Sequence, residues 1–514
     1  MIHEKQSIVV LDYGSQYSQL IARRIRELEV FSVILPFDAS ESEIRAENPV
    51  GLILSGGPSS VYEKDAPKLN EAVMGMKIPV LGICYGMHLL GRELGAAIDR
   101  TDLREYGPAE VTCETDSRLF RGLDSTQSVW MSHGDAMHDL PHGLRSVAHS
   151  EGSPVCAFEC VERNIYALQF HPEVHHSRQG KEMLRNFVFD ICRADHLWTH
   201  EHFIKRTVRE IRRKVGGGRV LCAVSGGVDS TVVAALLDRA LGDQVDCVFV
   251  DNGLLRKDEP AQVEELFREY FHVKFHHVRA ADRFLSALAG VREPEQKRKI
   301  IGREFIRVFE EEARRLGDIA YLAQGTLYPD VIESLSVRGP SATIKSHHNV
   351  GGLPDRMNLQ LVEPLRELFK DEVREVGKAL GLPEHFVQRH PFPGPGLGVR
   401  ILGEVTAERV RVLQEADAIF IGELHRSGWY EKSWQALAVL LPVQSVGVMG
   451  DQRTYEDVVA LRAVNSTDGM TADWTRLPAE LLERVSNRII GSVRGINRVV
   501  YDVSSKPPAT IEWE

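Results

Sequence analysis

The apolar run Val220-Leu221-Cys222-Ala223-Val224 breaks through Ser225-Gly226-Gly227 into Val228-Asp229-Ser230-Thr231 and a helical pattern that reaches Leu241. A strand that turns through glycines into a helix start belongs to an α/β layer, because the helix has to pack back onto the sheet. The turn also has a chemistry. Successive main-chain N–H groups and the positive end of the helix dipole make a cup suited to phosphate oxygens. The two glycines let the main chain approach an anion with no Cβ in the way. Ser225, Ser230 and Thr231 add hydroxyl donors, and Asp229 is placed to hold Mg2+ beside the phosphates. No G-x-x-x-x-G-K-[ST] stretch occurs, so this is not a Walker A loop. Gly216-Gly217-Gly218, followed by Arg219 and a strand, reads as a hinge.

The same alternation extends along most of the chain. Ser7–Leu11, Val30–Leu35, Gly51–Leu54 and Pro79–Ile83 read as strands, with helical stretches such as Gln16–Leu28 between some of them. Val129–Met131, Val155–Glu159 and Ile165–Phe170 read as further strands. A second block has strands at Val220–Val224, Val245–Val250, Val273–Val278 and Ile319–Ala323, with helices over Lys297–Leu316 and Lys370–Leu380. From His390 the texture becomes Pro-Phe-Pro-Gly-Pro-Gly-Leu-Gly, an irregular loop, and a smaller α+β region follows. The expectation is an α/β chain with two parallel-sheet domains and a smaller C-terminal α+β domain. A length of 514 residues suits about three domains of roughly 150 residues each.

Bulk properties narrow the function classes. A formal net charge of −11 disfavours broad nucleic-acid binding. The basic stretch Lys205 to Lys214 reads better as a solvated linker helix than as an RNA patch. Seven scattered cysteines suit a reducing cytoplasm, and Cys156 and Cys160 lack the two further ligands of a zinc site. No signal peptide fits the N-terminus, and the apolar stretch Ala436–Val443 is too short to span a bilayer.

A second site is written at Gly82-Ile83-Cys84-Tyr85-Gly86, between an apolar strand and a helix. This is nucleophile-elbow geometry with cysteine at the apex: the flanking glycines relieve crowding, and the helix start favours the thiolate. A cysteine nucleophile needs a base, and the base an orienting group. His171-Pro172-Glu173, after the strand Ile165–Phe170, supplies both. Main-chain N–H groups of Gly57, in Ser55-Gly56-Gly57-Pro58, and of Tyr85 are candidates for an oxyanion hole.

These motifs carry family resemblances. Ser225 to Ser230 resembles the S-G-G-x-D-S pyrophosphate-binding loop of the ATP pyrophosphatases, which split ATP between its α and β phosphates. The first block resembles the class I glutamine amidotransferases, whose triad maps onto Cys84, His171 and Glu173. That implies a glutamyl thioester at Cys84 and release of ammonia. Three further stretches, Ile344 to Pro354, His390 to Gly398 and Lys506 to Glu514, are similar to those of the glutamine-hydrolysing GMP synthetases. The resemblance covers essentially the whole chain. It implies an amidotransferase domain over 6–197, an ATP pyrophosphatase over 198–389, and a dimerisation and XMP-binding domain over 390–514. It further implies amination of XMP, with ATP at Ser225, Gly226, Gly227, Val228, Asp229, Ser230 and Thr231, and Mg2+ at Asp229. By position, Lys345 and Asp251 join the ATP site, while Arg298, Lys506 and Glu512 join the XMP site. The implied assembly is a cytoplasmic homodimer acting on small molecules, not on nucleic acid or membrane. Two rivals remain: a tRNA-modifying pyrophosphatase, against which the charge and the strand positions of Cys222 and Cys247 count, and a non-catalytic nucleotide sensor, which has no use for a thiolate.

Overall fold

The computed structural model describes residues 6–335, 359–449, 452–466, 469 and 471–514. These form two compact units, one reaching Phe203 and the other running from Ile204 to Glu514.

The first unit is built on a nine-stranded sheet. Its strands are β1 Ser7–Asp12, β2 Phe31–Pro36, β3 Pro49–Leu54, β4 Val80–Ile83, β5 Ala97–Cys113, β6 Thr126–Asp139, β7 Arg145–His149, β8 Ala157–Cys160 and β9 Ile165–Leu168. The spatial order is β2-β1-β3-β4-β9-β8-β7-β5-β6. From β2 to β9 the pairs are parallel, and from β9 to β6 they are antiparallel. Strands covered on both faces need unbroken apolar runs. Ile8, Val9, Val10, Leu11, Leu52, Ile53 and Leu54 are accordingly all fully buried. The helix Ser18–Arg26 buries Ile21, Ala22 and Ile25, and also Arg26, which donates to Ser32 O at 2.8 Å. This order makes β3, β4 and β9 neighbours, so that the loops carrying Gly57, Cys84 and His171 leave adjacent strand ends.

The second unit holds a five-stranded, fully parallel sheet. Its strands are β10 Arg219–Val224, β11 Val245–Asp251, β12 Lys274–Arg279, β13 Ile319–Ala323 and β14 Gln360–Val362, in the order β12-β11-β10-β13-β14. The phosphate-loop candidate thus leaves the central strand. A four-stranded sheet follows, with β15 Gln435–Met449, β16 Gln452–Asn465, β17 Asp473–Trp474 and β18 Ile496–Tyr501. The helices Ala407–Arg426 and Ala479–Ser492 bury Leu413, Phe420, Leu481, Val485 and Ile489 in the same apolar cluster as Leu221, Val248 and Leu322. Leu397 and Ile401, just past residue 390, lie in that cluster too.

The basic stretch after residue 200 is helical with most of its basic side chains exposed, as expected, but its other face is buried. It lies in the helix His200–Val215, which buries Ile204, Val208, Ile211 and Val215 along one face. That spacing of three and four residues is an amphipathic stripe, with the basic residues flanking it. Even Arg206 is buried and pairs with Glu367.

Candidate active sites

Cys84 sits between β4 and the helix Tyr85–Glu93 with φ +53° and ψ −106°, a strained backbone for a side-chain-bearing residue. The flanking glycines are required sterically. A Cβ at Gly82 would stand 2.6 Å from the Gly86 carbonyl, and one at Gly86 would stand 2.4 Å from the Leu54 carbonyl oxygen. The Cys84 N–H donates to Leu168 O at 2.8 Å, tying the elbow to β9. Three residues beyond that carbonyl, His171 is held by Glu173, with Nδ1···Oε1 at 2.7 Å. That bond leaves Nε2 as the ring nitrogen available to Cys84, whose Sγ donates to Ser132 O at 3.6 Å. Burial opposes charging of the imidazole, but the Glu173 carboxylate and the thiol together outweigh it and push the His171 pKa up to about 11. The Tyr17 ring stands edge-on to the imidazole with centroids 5.1 Å apart.

The loop after β3 closes over this pair. An ideal Cβ at Gly56 would lie 3.1 Å from His171 Cε1 and 3.6 Å from Cys84 Cβ, and one at Gly57 would lie 3.4 Å from Tyr85 Cδ1. Tyr85 opens its helix, so its N–H has no acceptor one turn earlier. The structure thus brings Gly57, Cys84, Tyr85, His171 and Glu173 together. Sequence reasoning missed His88, one helical turn beyond Cys84 and buried against Gln169 at 2.7 Å. Burial pushes the His88 pKa down to about 4, against the bond to Gln169, and keeps the ring neutral.

In the second unit the loop 225–231 turns from β10 into a helix, with the Ser225 N–H donating to Ser230 Oγ at 3.2 Å and the Gly227 N–H to Ser225 Oγ at 3.3 Å. Gly226 has φ +76°, and a Cβ there would stand 2.8 Å from Val263 Cγ2. Gly227 caps the helix Val228–Leu241 with no side-chain cap hydrogen bond. Ser225 Oγ and Ser230 Oγ lie 3.1 Å apart, and Thr231 Oγ1 donates to Gly227 O at 2.9 Å. Asp251 closes the neighbouring strand β11, its Oδ1 accepting from Gly253 N at 3.0 Å. Lys345 lies outside the described residues.

Two basic residues here were not foreseen. Lys370 Nζ reaches both oxygens of Asp229, at 2.6 and 2.5 Å. Arg389 Nη1 donates to Gly226 O at 3.1 Å. Lys370 opens the helix Lys370–Ala379, and nothing local in its sequence marks a role; only the fold brings it to the loop.

Of the XMP candidates, Arg298 and Glu512 lie with the last residues of the chain, whereas Lys506 is paired with Ala472 and Gly469. Arg298 donates to the main-chain oxygen of Glu514. Its neighbour Lys297, fully buried, donates to Glu514 Oε2 at 2.5 Å and to Ile401 O at 2.7 Å. Glu512 accepts from buried Arg400, at 2.8 Å to Nη2, and from Gln435 at 2.7 Å. Lys506 Nζ donates to Gly469 O at 2.8 Å. Arg400 Nη1 is buried without a hydrogen-bond partner among the described residues, and its guanidinium lies 4.9 Å from the Phe392 ring centre. Neither Arg400 nor Gln435 was marked by any local motif.

Comparison with known proteins agrees with this layout. Residues 9–191 match the family model for class-I glutamine amidotransferase, and residues 422–513 match that for the GMP synthase C-terminal domain. The chain is 58% identical over 507 residues to the glutamine-hydrolyzing GMP synthase of Carboxydothermus hydrogenoformans, covering 99% of each chain. It is 58% identical over 511 residues to that of Campylobacter lari, covering 99% of this chain and 100% of the relative. This chain belongs to the glutamine-hydrolysing GMP synthases. Family membership accounts for both chemical sites occurring in one polypeptide. The tRNA-modifying reading also fares poorly on geometry: Cys222 and Cys247 face each other in register on β10 and β11, and both are buried.

Proposed function

We propose that this chain converts XMP to GMP with glutamine as nitrogen donor and ATP as co-substrate. Full-length identity to GMP synthases supports the overall reaction. The geometry supports the assignment of steps. Cys84 Sγ attacks the side-chain carbonyl of glutamine, and the N–H groups of Gly57 and Tyr85 receive the oxyanion, each donor contributing roughly 10²–10³ in rate. His171 gives its proton to the departing ammonia, and Glu173 keeps the ring oriented and charged. Water, deprotonated by His171, then releases glutamate from the thioester.

In the second unit, the XMP base oxygen attacks the α-phosphorus of ATP. The loop 225–231 retains pyrophosphate, and ammonia displaces AMP from the adenylylated base. Asp229 fits a Mg2+ role, since its carboxylate belongs to that loop and accepts a cation there already, the Lys370 ammonium. The ion supplies neutralisation of phosphate charge; Lys370, once released from Asp229, supplies a second cation for the same oxygens. Arg298, Lys506 and Glu512 bind XMP, with Asp251 and Lys345 at the ATP site.

A homodimer through the C-terminal region is supported by Val443, Val446, Val448 and Tyr455, which lie exposed on the β15–β16 hairpin. Among the described residues no helix is long and apolar enough to cross a membrane, in keeping with work in the cytoplasm. The observation that carries the reading is the convergence of Gly57, Cys84 and His171 from three adjacent strand ends. The test is incubation with ATP, Mg2+, glutamine and XMP. GMP, AMP and pyrophosphate should appear in equal amounts, and formation of ADP and orthophosphate instead would refute the proposal.

A further inference from the structure

Arg462, on β16, has a fully buried side chain. Its donors go to two separate stretches of the C-terminal tail. Nε donates to Ile511 O at 2.8 Å and Nη2 to Thr510 O at 2.9 Å. Nη1 donates to Ser504 O at 3.0 Å and to Asp502 Oδ2 at 2.7 Å. The Trp513 indole N–H donates to that same Asp502 oxygen at 3.0 Å. One guanidinium therefore pins both ends of the loop that carries Lys506. The middle of the loop is held separately, by main-chain bonds between Lys506 and Ala472 of 2.7 and 3.0 Å.

A buried cation is costly unless paired and fully hydrogen-bonded, and it is weak evidence for stability alone. Here the charge is balanced by Asp502, and each of the three guanidinium nitrogens donates to an acceptor at the base of the tail. Three of these four acceptor atoms are main-chain carbonyls, so the contact reads backbone position and not side-chain identity. Lysine cannot reproduce it, because a single ammonium lacks the planar fork that spans two strands of chain. The residue immediately after Ile511 is Glu512, whose carboxylate is fixed by Arg400 and Gln435.

We propose that Arg462 is a positioning residue for XMP binding: by clamping 502–504 to 510–511 it sets where Lys506 and Glu512 stand relative to the nucleotide. This rests on the reading of the tail as the XMP site. Four of the five guanidinium N–H donors are taken up by the tail, so its part is to hold the loop and not to contact substrate.

The test compares Arg462→Lys, Asp502→Asn and Lys506→Ala in the full chain, measuring KM for XMP, KM for ATP and the melting temperature. Arg462→Lys should raise the KM for XMP about tenfold or more, since loss of two charge-assisted hydrogen bonds corresponds to at least one decade. The KM for ATP should stay within about twofold. Asp502→Asn keeps the shape and loses the counter-charge, and should raise the XMP KM several-fold; it decides the matter if Arg462→Lys does not fold. A rise in both KM values in parallel with a lowered melting temperature would make Arg462 merely structural and overturn the inference. So would an unchanged XMP KM in both variants while Lys506→Ala raises it. An unchanged XMP KM in Lys506→Ala would instead remove Lys506 from the site and count against the reading of the tail.

Discussion

Replacing Gly86 with alanine should disable glutamine hydrolysis while leaving the second unit competent. In an ordinary helix that change stabilises by about 1 kcal/mol. Here an ideal Cβ falls 2.4 Å from Leu54 O and 2.7 Å from Leu54 Cβ. Leu54 ends β3 and is fully buried, so neither partner is a flexible side-chain tip. Reaching the 3.4 Å of an ordinary contact requires about 1 Å of relative movement between the helix start and β3. Overpacking of this kind costs about 1–3 kcal/mol, which cancels or reverses the helix gain. For a unit of this size each kcal/mol is worth about 2–4 °C in melting temperature. The larger effect is on geometry. Gly86 N–H donates to Ser55 O at 3.1 Å, so the same shift separates Tyr85 and Cys84 from the Gly56–Gly57 loop. A displacement of about 1 Å in a catalytic constellation costs about 10² in rate. Glutamate release should therefore fall about a hundredfold, while GMP formation from added ammonium persists. Gly75→Ala is the control, because nothing lies within 4 Å of its Cβ position. Glutaminase activity in Gly86→Ala within about threefold of the unaltered chain would refute the steric argument.

Three further outcomes are expected. Cys84→Ala should abolish glutamine-dependent GMP formation and leave ammonium-dependent synthesis largely intact; loss of both in a folded variant contradicts separable sites. Lys370→Met and Asp229→Asn should each lower ATP-to-AMP conversion by about 10² or more. Their side chains are 45% and 29% exposed, so the ion pair contributes only about 0–1 kcal/mol and the melting temperature should hardly move; unchanged pyrophosphate release would count against both roles. His390 is held neutral by burial, with the Tyr430 carbonyl working against it, and its pKa is pushed down to about 4. Its Nδ1 accepts from Ala436 N at 3.1 Å, so protonation there breaks a bond. With the folded value below the ordinary 6.5, stability is retained above pH 6.5 and lost as pH falls towards 4. The gap of 2.5 pH units at about 1.36 kcal/mol each gives about 3 kcal/mol, to be read by denaturant titration of the wild type against His390→Gln.

The sequence made the parallel strands legible because burial on both faces demands unbroken apolar runs. The expected Ile319–Ala323 matches β13 residue for residue, and Ser7–Leu11 falls one short of β1. In the antiparallel half of the first sheet β8 was read, but β5 and β7 were missed and β6 was read only in part, for the opposite reason. On β6 every second residue is buried, but Gln127, His133 and Asp135 occupy three of those inward positions. Polar side chains there erase the alternation, leaving only Val129–Met131 to be read.

The sites divide along the same line. Cys84, His171, Gly57 and the loop 225–231 were readable because each is set by local backbone demands: a strained turn, a glycine pressed against a carbonyl, a helix start. Glycine at 82, 86 and 226 records a steric requirement in the residue identity itself. A charged residue records nothing comparable. Lys370, Arg389, Arg400 and Arg462 acquire their partners at Asp229, Gly226, Glu512 and the tail only through the fold. Before folding, each is one basic side chain among 62. What distinguishes Arg400 and Arg462 is full burial, a property of the packed core around β15 and β16. A buried guanidinium is tolerated only where acceptors are already in place. The tail that supplies those acceptors is therefore part of the folded core of the second unit, and deleting residues 510–514 should unmask three buried cations, Lys297 among them, and destabilise that core, beyond removing one substrate contact.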